Sequence, residues 1–255
     1  MSILADSDDL QAVYPSLRGK RVLITGGGSG IGAGIVEGFA RQGSDVTFID
    51  LLNGESDQLA VTTGARFERI DLKDTAATSA RIKSLVEEDG PFNILVNNAA
   101  NDDRHAFDEV TEEYWDDRLA VNLKHQFFCA QAVVPGMRAA GGGAIVNLGS
   151  ISWHLALHDL VLYQTCKAAI EGLTRALARE LGKDNIRVNC VVPGNIRTPR
   201  QMKWYTPEGE AAIVDAQCIN CRLEPRDVAA LVTFLASDDA RGMTGHEHFV
   251  DAGWR

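Results

Sequence analysis

The segment Arg21–Gly32 constrains the fold more than any other feature of the sequence. A short apolar run leads through Thr25 into a stretch that holds five glycines, and the amphipathic segment 33–42 follows. This order is typical of a buried strand, a phosphate-binding loop and a helix. Glycines let the backbone approach a pyrophosphate, and the helix N-terminus offers free N–H groups and the positive end of a dipole. The segment therefore predicts a nucleotide site built from Gly26, Ser29, Gly30, Ile31 and Gly32.

An acidic residue follows the second apolar run. The run 45–49 ends at Asp50, about 20 residues after the loop, where a carboxylate accepts hydrogen bonds from adenosine ribose hydroxyls. Its charge repels a 2′-phosphate. No Lys or Arg lies within residues 25–32 or directly after Asp50. The sequence therefore favours NAD over NADP.

Seven apolar runs alternate with segments of helical periodicity along the chain. This alternation predicts an α/β protein: a single-domain Rossmann fold over residues 18–255, with a doubly wound seven-stranded parallel sheet and helices on both faces. Ligands of such sheets bind outside the carboxyl ends of the strands, so the residues that end these runs are expected in one crevice. The runs are 21–25, 45–49, 66–70, 93–97, 144–149, 187–192 and 247–250, and the residues that follow or end them include Asp71, Asn97, Ser150 and Pro193.

Composition excludes several classes of function. A net charge of −10 disfavours nucleic acid as a partner, because phosphate backbones require a basic surface. No apolar run approaches the roughly 20 residues that span a bilayer, and the N-terminus does not resemble a signal peptide. Five cysteines, an odd number, indicate free thiols and a cytoplasmic location. Cys218 and Cys221 lack a second Cys pair, so no metal site is expected.

Two segments lie outside the regular alternation. Residues 1–17 precede the first strand and are interpreted as a mobile arm, with Tyr14 and Leu17 able to dock it on the domain. Residues 194–225 contain several Pro and Gly residues and the pair Trp204–Tyr205. This stretch predicts a lid of short helices over the crevice.

Tyr163 and Lys167 are four residues apart on a predicted helix, thirteen residues beyond Ser150. This spacing places a phenol and an ammonium on one helix face. Oxidation of a hydroxyl to a carbonyl requires a base for the O–H proton while hydride leaves for a nicotinamide. A free phenol has a pKa of about 10, so a neighbouring positive charge must lower it for Tyr163 to serve near neutral pH. Lys167 and an oxidised nicotinamide are the candidates for that charge.

Taken together, the motifs resemble the short-chain dehydrogenase/reductase family over nearly the whole chain. The resemblance rests on Thr25-Gly26-x-x-x-Gly30-x-Gly32, Asn97-Asn98-Ala99, Asn122, Ser150, Tyr163-x-x-x-Lys167 and Pro193-Gly194. It implies an NAD-dependent dehydrogenase acting on CH–OH groups, with a catalytic set of Asn122, Ser150, Tyr163 and Lys167. Ala100 departs from the pattern, because the family usually has glycine there. The resemblance also implies cofactor contacts from Asp50, Asp71, Leu72, Asn98, Ala99, Tyr163, Lys167, Pro193, Gly194, Ile196 and Thr198.

A narrower resemblance concerns the substrate side. Residues 101–105, 149–155, 204–209 and 251–255 look like bacterial NAD-dependent D-xylose dehydrogenases, a subgroup that oxidises aldoses at C1 to aldonolactones. It implies a sugar substrate. A sugar pocket needs placed polar groups and an aromatic wall, although each candidate could instead be a packing or surface residue. The candidates are Asn101, Asp102, Arg104, Ser152, Trp153, His154, Gln164, Asn195, Trp204 and Tyr205.

Other functions stay open at this stage. A 2-keto-3-deoxy sugar acid or another sugar or polyol would suit the same chemistry, and Arg104 or Arg197 could receive a carboxylate. A ketone or acyl reductase using NADPH is disfavoured by Asp50. A non-catalytic nucleotide sensor would not need Tyr163 and Lys167, and a sugar-nucleotide epimerase would need a larger carboxyl-terminal domain. The family resemblance implies a homotetramer formed through the helices within 108–137 and 163–181.

Overall fold

The computed structural model describes residues 12–203 and 205–254 and contains one sheet of seven parallel strands. Its strand order is β3-β2-β1-β4-β5-β6-β7, so the order reverses between β1 and β4. The prediction of a doubly wound, seven-stranded parallel sheet is confirmed. The strands are β1 Arg21–Thr25, β2 Asp45–Asp50, β3 Arg66–Arg69, β4 Ile94–Asn97, β5 Gly143–Leu148, β6 Ile186–Pro193 and β7 Glu247–Val250.

Helices cover both faces of this sheet. Side chains cap the start of some of them: Asp74 accepts from Ala77 N at the start of α3, and Thr111 accepts from Tyr114 N at the start of α4. None of the helices in the described ranges has the length and apolar character needed to cross a membrane. The helices are α1 Gly30–Arg41, α2 Glu55–Thr63, α3 Thr75–Asp89, α4 Glu112–Leu119, α5 His125–Ala139, α6 Ile151–His154, α7 Val161–Leu181, α8 Pro207–Asp215 and α9 Pro225–Ala236.

The central strands are apolar at successive positions because both of their faces are covered. Leu23 and Leu95 join one hydrophobic cluster with α3 and α5, whereas Ile24 and Val96 join another with α1 and α9. Successive side chains of a strand point to opposite faces, so a continuous apolar run fills both layers. Each fully buried Leu or Ile contributes about 1.5–3 kcal/mol. This burial fixes the positions of the strand ends, and the crevice lies outside the carboxyl ends of these strands.

A π-helical turn at Ala120–Lys124 interrupts the long helical segment that leads from α4 into α5. Asn122 lies in this turn and is fully buried. Wide turns of this kind are frequent at functional sites. The interruption directs Asn122 toward the loop that follows β4.

The two irregular segments both pack on the sheet domain. Residues 12–17 of the predicted arm are docked: Leu17 is buried, and the Gln42 side chain binds Tyr14 N and Ala12 O, each at 2.8 Å. The rest of the arm, residues 1–11, lies outside the described residues. The segment predicted as a lid contains α8 and a short 3₁₀ turn at Gln201–Lys203, and a β-bridge between Ile196 and Leu223 closes its base.

Candidate active site

The glycine-rich loop forms an anion-binding cradle at the start of α1. The backbone of Ser29 is the N-cap, but its side chain makes no capping hydrogen bond, so the first N–H groups of the helix remain available. Gly26 has φ of +66°. A Cβ at Gly32 would lie 1.8 Å from the Gly26 carbonyl oxygen, so only glycine fits there. Asn98 Nδ2 donates to that same oxygen at 2.8 Å and stabilises the loop from β4.

Asp50 is held in place at the carboxyl end of β2. Its Oδ2 accepts from Gly28 N at 2.8 Å, and its Oδ1 accepts from Leu51 N and Leu52 N at 2.7 and 2.9 Å. These three bonds place the carboxylate beside the phosphate loop, where the ribose of a dinucleotide would pass. The cradle and the carboxylate together fit a nicotinamide dinucleotide.

The other predicted cofactor residues end or follow the strands at their carboxyl ends, with differing exposure. Ala99 N donates to Thr25 Oγ1 at 3.2 Å, and Gly194 N donates to Val250 O at 2.8 Å. Thr198 lies beside Gly30. The remaining residues are Asp71, which is exposed, and Leu72, Pro193 and Ile196, which are buried.

Tyr163 and Lys167 lie in the first two turns of α7, as the spacing predicts. The Lys167 ammonium is 5.3 Å from the centre of the Tyr163 ring and donates to Leu148 O at 2.7 Å. Ser150 caps α6 through its hydroxyl, shares a 2.9 Å hydrogen bond with the Ser152 hydroxyl, and also interacts with the phenol. The structure therefore brings a phenol, an ammonium and a hydroxyl together at the ends of β5 and α7.

Burial governs the protonation of these groups. It lowers the pKa of Lys167 to about 8, since a charged ammonium loses its hydration there. Burial also raises the pKa of the Tyr163 phenol, Asp102 raises it further, and Ser150 and Arg200 oppose this rise. Burial outweighs the groups that favour the phenolate in this arrangement. The phenol needs a further positive charge beside it to act as a base near neutral pH.

The Asn122 side chain ties the π turn to the loop after β4. Its Oδ1 accepts from Asn101 N at 2.8 Å, and its Nδ2 donates to Arg118 O at 3.0 Å. The amide thereby orders the loop that carries Asn101 and Asp102. In the structure this side chain is a positioning group, and its membership of the catalytic set stays a prediction.

The structure separates the predicted substrate residues into two groups. Asn101, Asp102 and Ser152 lie around the catalytic crevice, whereas Asn195 binds Tyr205 and Arg222 within the lid. Others are engaged elsewhere, and Trp204 lies outside the described residues. Arg104 donates to His158 O at 2.8 Å, Gln164 donates to Leu157 O, and both His154 Nε2 and Trp153 Nε1 contact Glu171 at 3.0 and 2.8 Å.

Sequence reasoning missed Arg200. Its guanidinium reaches across the crevice from the lid to Asp102 and Asp103, at 3.1 and 2.8 Å. Arg118 holds Asp103 from the other side at 3.1 Å. No motif marks Arg200, since Asp103 lies 97 residues away in the chain. Only the three-dimensional structure brings these charges together.

Comparison with known proteins agrees with this geometry. A family model described as enoyl-(acyl carrier protein) reductase matches residues 26–255. The chain belongs to the short-chain dehydrogenase/reductase family and, like the other enzymes of that family, is an oxidoreductase.

Individual relatives cover nearly the whole chain. It is 60% identical to the D-xylose 1-dehydrogenase of Caulobacter vibrioides, over 96% of this chain and 99% of that protein. It is 46% identical to a probable galactose dehydrogenase of Rhizobium meliloti, over 94% of this chain and 96% of that protein. Among solved structures, L-sorbose reductase of Gluconobacter frateurii, in complex with NADPH and L-sorbose, superposes with a TM-score of 0.85 at 30% identity, covering 95% of this chain and 98% of that chain.

Proposed function

We propose that this protein is an NAD-dependent aldose 1-dehydrogenase that oxidises the C1 hydroxyl of a D-xylose-like sugar to the aldonolactone. The observation that carries the proposal is the Tyr163, Lys167 and Ser150 set beside a crevice whose mouth is lined by Asp102 and Arg200. The similarity to a D-xylose 1-dehydrogenase and a probable galactose dehydrogenase supports a sugar as the substrate.

One residue takes the proton, and the others orient the substrate or stabilise the phenolate. Ser150 donates a hydrogen bond to the reacting sugar oxygen, and the Tyr163 phenolate takes the C1 hydroxyl proton. Lys167 adds positive charge close to the phenol. When bound, NAD supplies the hydride acceptor and, in its oxidised form, a positive charge beside the phenol. The loop that contains Asn101 and Asp102 shapes the sugar side of the crevice.

Asp50 supports NAD over NADP. Three backbone N–H groups fix its carboxylate beside the loop, and a 2′-phosphate would bring a second anion to the same place. Asp50→Ala combined with Leu51→Arg should shift the ratio of kcat/KM values toward NADP by about tenfold or more, as relief of one charge repulsion predicts. Initial rates with both cofactors at fixed sugar measure this ratio. An unchanged ratio would show that Asp50 does not contact the ribose.

A 2-keto-3-deoxy sugar acid is the second candidate substrate, and the placement of the charges disfavours it. Arg104 donates to a backbone carbonyl, and Arg197 lies 3.8 Å from Glu224. Arg200 is already shared by two carboxylates. A substrate carboxylate would have to compete with these acidic groups, whereas a neutral sugar would not.

The test is initial-rate reduction of NAD by the purified protein with D-xylose, L-arabinose, D-glucose, D-galactose, 2-keto-3-deoxy sugar acids and simple alcohols. We expect saturable turnover with an aldose and the highest kcat/KM among pentoses or hexoses that share the D-xylose configuration. Activity confined to a keto-deoxy acid would replace the aldose assignment.

We further propose that the protein works in the cytoplasm, since its five cysteines are all unpaired.

A further inference from the structure

Arg200 connects the lid to the loop after β4. One nitrogen of its guanidinium is surrounded by more acceptor oxygens than it has hydrogens. Its Nη2 lies 3.3 Å from Asn101 Oδ1, 3.1 Å from Asp102 Oδ1 and 2.8 Å from Asp103 Oδ1. One guanidinium nitrogen carries two hydrogens, so it cannot satisfy three acceptors at once. Carboxylate and amide oxygens therefore keep acceptor capacity for a ligand that donates hydrogen bonds.

The two key side chains of this cluster remain open to solvent. The side chain of Arg200 is 52% exposed and that of Asp102 is 43% exposed. An exposed ion pair contributes little to stability, so fold stability alone does not explain this arrangement. A ligand that enters the crevice can reach both charges.

The cluster is also fixed relative to the reacting centre. Asn122 holds Asn101 N, and Arg118 holds Asp103, so both ends of the three-residue loop are anchored. Asp102 and Arg200 both act electrostatically on Tyr163, so the cluster and the phenol face the same crevice.

This arrangement suits a pair of adjacent hydroxyl groups. Each hydroxyl donates one hydrogen bond and accepts others, so it can donate to a carboxylate and accept from a guanidinium. The planar fork of arginine directs two N–H groups at neighbouring oxygens, which the ammonium of lysine does not do. We propose that Arg200 and Asp102 together bind two adjacent hydroxyls of the substrate, and that Asp103 holds Arg200 in position. The proposal rests on the sugar dehydrogenase function proposed above.

Four variants test this role against a purely structural one. Arg200→Gln and Asp102→Asn remove one member each, Arg200→Lys keeps the charge but not the fork, and Lys203→Gln is the control. Lys203 is an exposed cation in the same segment, so the control makes the same change in charge. The measurements are kcat and KM for D-xylose at saturating NAD, and NADH affinity by fluorescence titration.

We expect Arg200→Gln and Asp102→Asn to lower kcat/KM for D-xylose by roughly ten- to a hundredfold, mainly through KM, because each removes a charged hydrogen-bond partner. Arg200→Lys should lie between Arg200→Gln and wild type. NADH affinity should stay at the wild-type value in all four variants, and Lys203→Gln should retain wild-type kinetics.

Monodeoxy sugars sharpen the test, because they remove the hydroxyl instead of the protein group. For at least one monodeoxy D-xylose, wild type and Arg200→Gln should have equal kcat/KM, since the interaction is already lost.

Variation of pH adds a second readout. Tyr163 is flanked by Asp102, Arg200, Cys166 and Lys167, so Arg200→Gln should move the rising limb of kcat against pH to higher pH and Asp102→Asn to lower pH.

The outcomes separate the two proposals. If wild type oxidises aldoses but Arg200→Gln and Arg200→Lys keep the wild-type KM for every sugar, the role of Arg200 is overturned and the function stands. If wild type oxidises no sugar, both proposals fail. Should Arg200→Gln not fold, Arg200→Lys and Asp102→Asn carry the test, with NADH binding as the check on folding.

Discussion

Lys167 keeps an ammonium at a position that water hardly reaches. The residue is 2% exposed, and its Nζ donates to the Leu148 carbonyl at the end of β5. Removal of the charge from water costs free energy, and this cost is the reason that its pKa falls to about 8. The group that assists the phenol therefore destabilises the folded chain at neutral pH.

Replacement of Lys167 by Met should remove this cost and abolish turnover. Below pH 8 the ammonium stays charged in both the folded and the unfolded state. The full free-energy cost of burying the charge therefore destabilises the folded protein. Between pH 8 and the ordinary lysine pKa the folded state loses the proton first, so wild-type stability rises with pH. We expect Lys167→Met to raise the free energy of unfolding by about 1–3 kcal/mol at pH 7, with a smaller gain at pH 9.5. Urea unfolding at both pH values measures it, and a loss of stability at pH 7 would contradict the argument.

Tyr163→Phe should separate chemistry from binding. The change removes one phenolic oxygen and little packing, so the fold and the dinucleotide cradle should persist. We expect turnover to fall by about a thousandfold or more, within the range for loss of a base and its electrostatic partner. NADH affinity, measured by fluorescence titration, should stay near the wild-type value. Retained turnover would exclude Tyr163 as the base.

At the scale of the elements, a small set of polar contacts holds the lid segment together just after β6. Asn195 Nδ2 donates to the Tyr205 hydroxyl at 2.7 Å, and Asn195 Oδ1 accepts from Arg222 at 3.1 Å. Arg222 also pairs with Glu210 of α8 at 2.9 Å. These contacts tie the residues that follow β6 to the middle and the end of the lid segment. They assign Asn195 a role in holding the lid as well as its predicted contact with substrate.

Tyr205→Phe should loosen this lid without altering the dinucleotide cradle. It removes the acceptor of one hydrogen bond, worth about 1 kcal/mol, so KM for the sugar should rise about fivefold. NADH affinity should not change. Limited proteolysis checks the physical cause, because the segment 196–223 should be cut faster in the variant. Equal cleavage rates together with an unchanged KM would show that this hydrogen bond does not hold the lid.

The sequence predicts elements well where a local pattern exists. The bounds predicted for β1 and β7 agree with the structure, and β1 is a buried apolar run that ends where the glycine-rich loop begins. The first helix was predicted from Ala33, but it begins at Gly30. Glycines carry no hydrophobic periodicity, so their helical conformation leaves no pattern to read. The cluster around Arg200 escaped prediction for another reason, since partners nearly 100 residues apart leave no local spacing.

At the scale of the whole molecule, several large apolar side chains remain on the outer helices. Trp115 of α4 and Phe127 of α5 are each 42% exposed, and Val161 of α7 is 47% exposed. The family resemblance implies a homotetramer that is formed through these helices. Aromatic side chains that are exposed in a single subunit are often buried at interfaces between identical subunits. We propose a homotetramer in which they are covered.

Phe127→Glu should weaken this assembly, because a buried carboxylate without a partner is costly at an interface. Light scattering coupled to gel filtration should give four times the chain mass of 27.6 kDa for wild type and a smaller assembly for the variant. Val61→Glu is the matched control, since Val61 of α2 is 80% exposed and lies on a different helix. It should keep the wild-type mass. A monomeric wild type would overturn the tetramer, and a tetrameric Phe127→Glu variant would place the interface on another face.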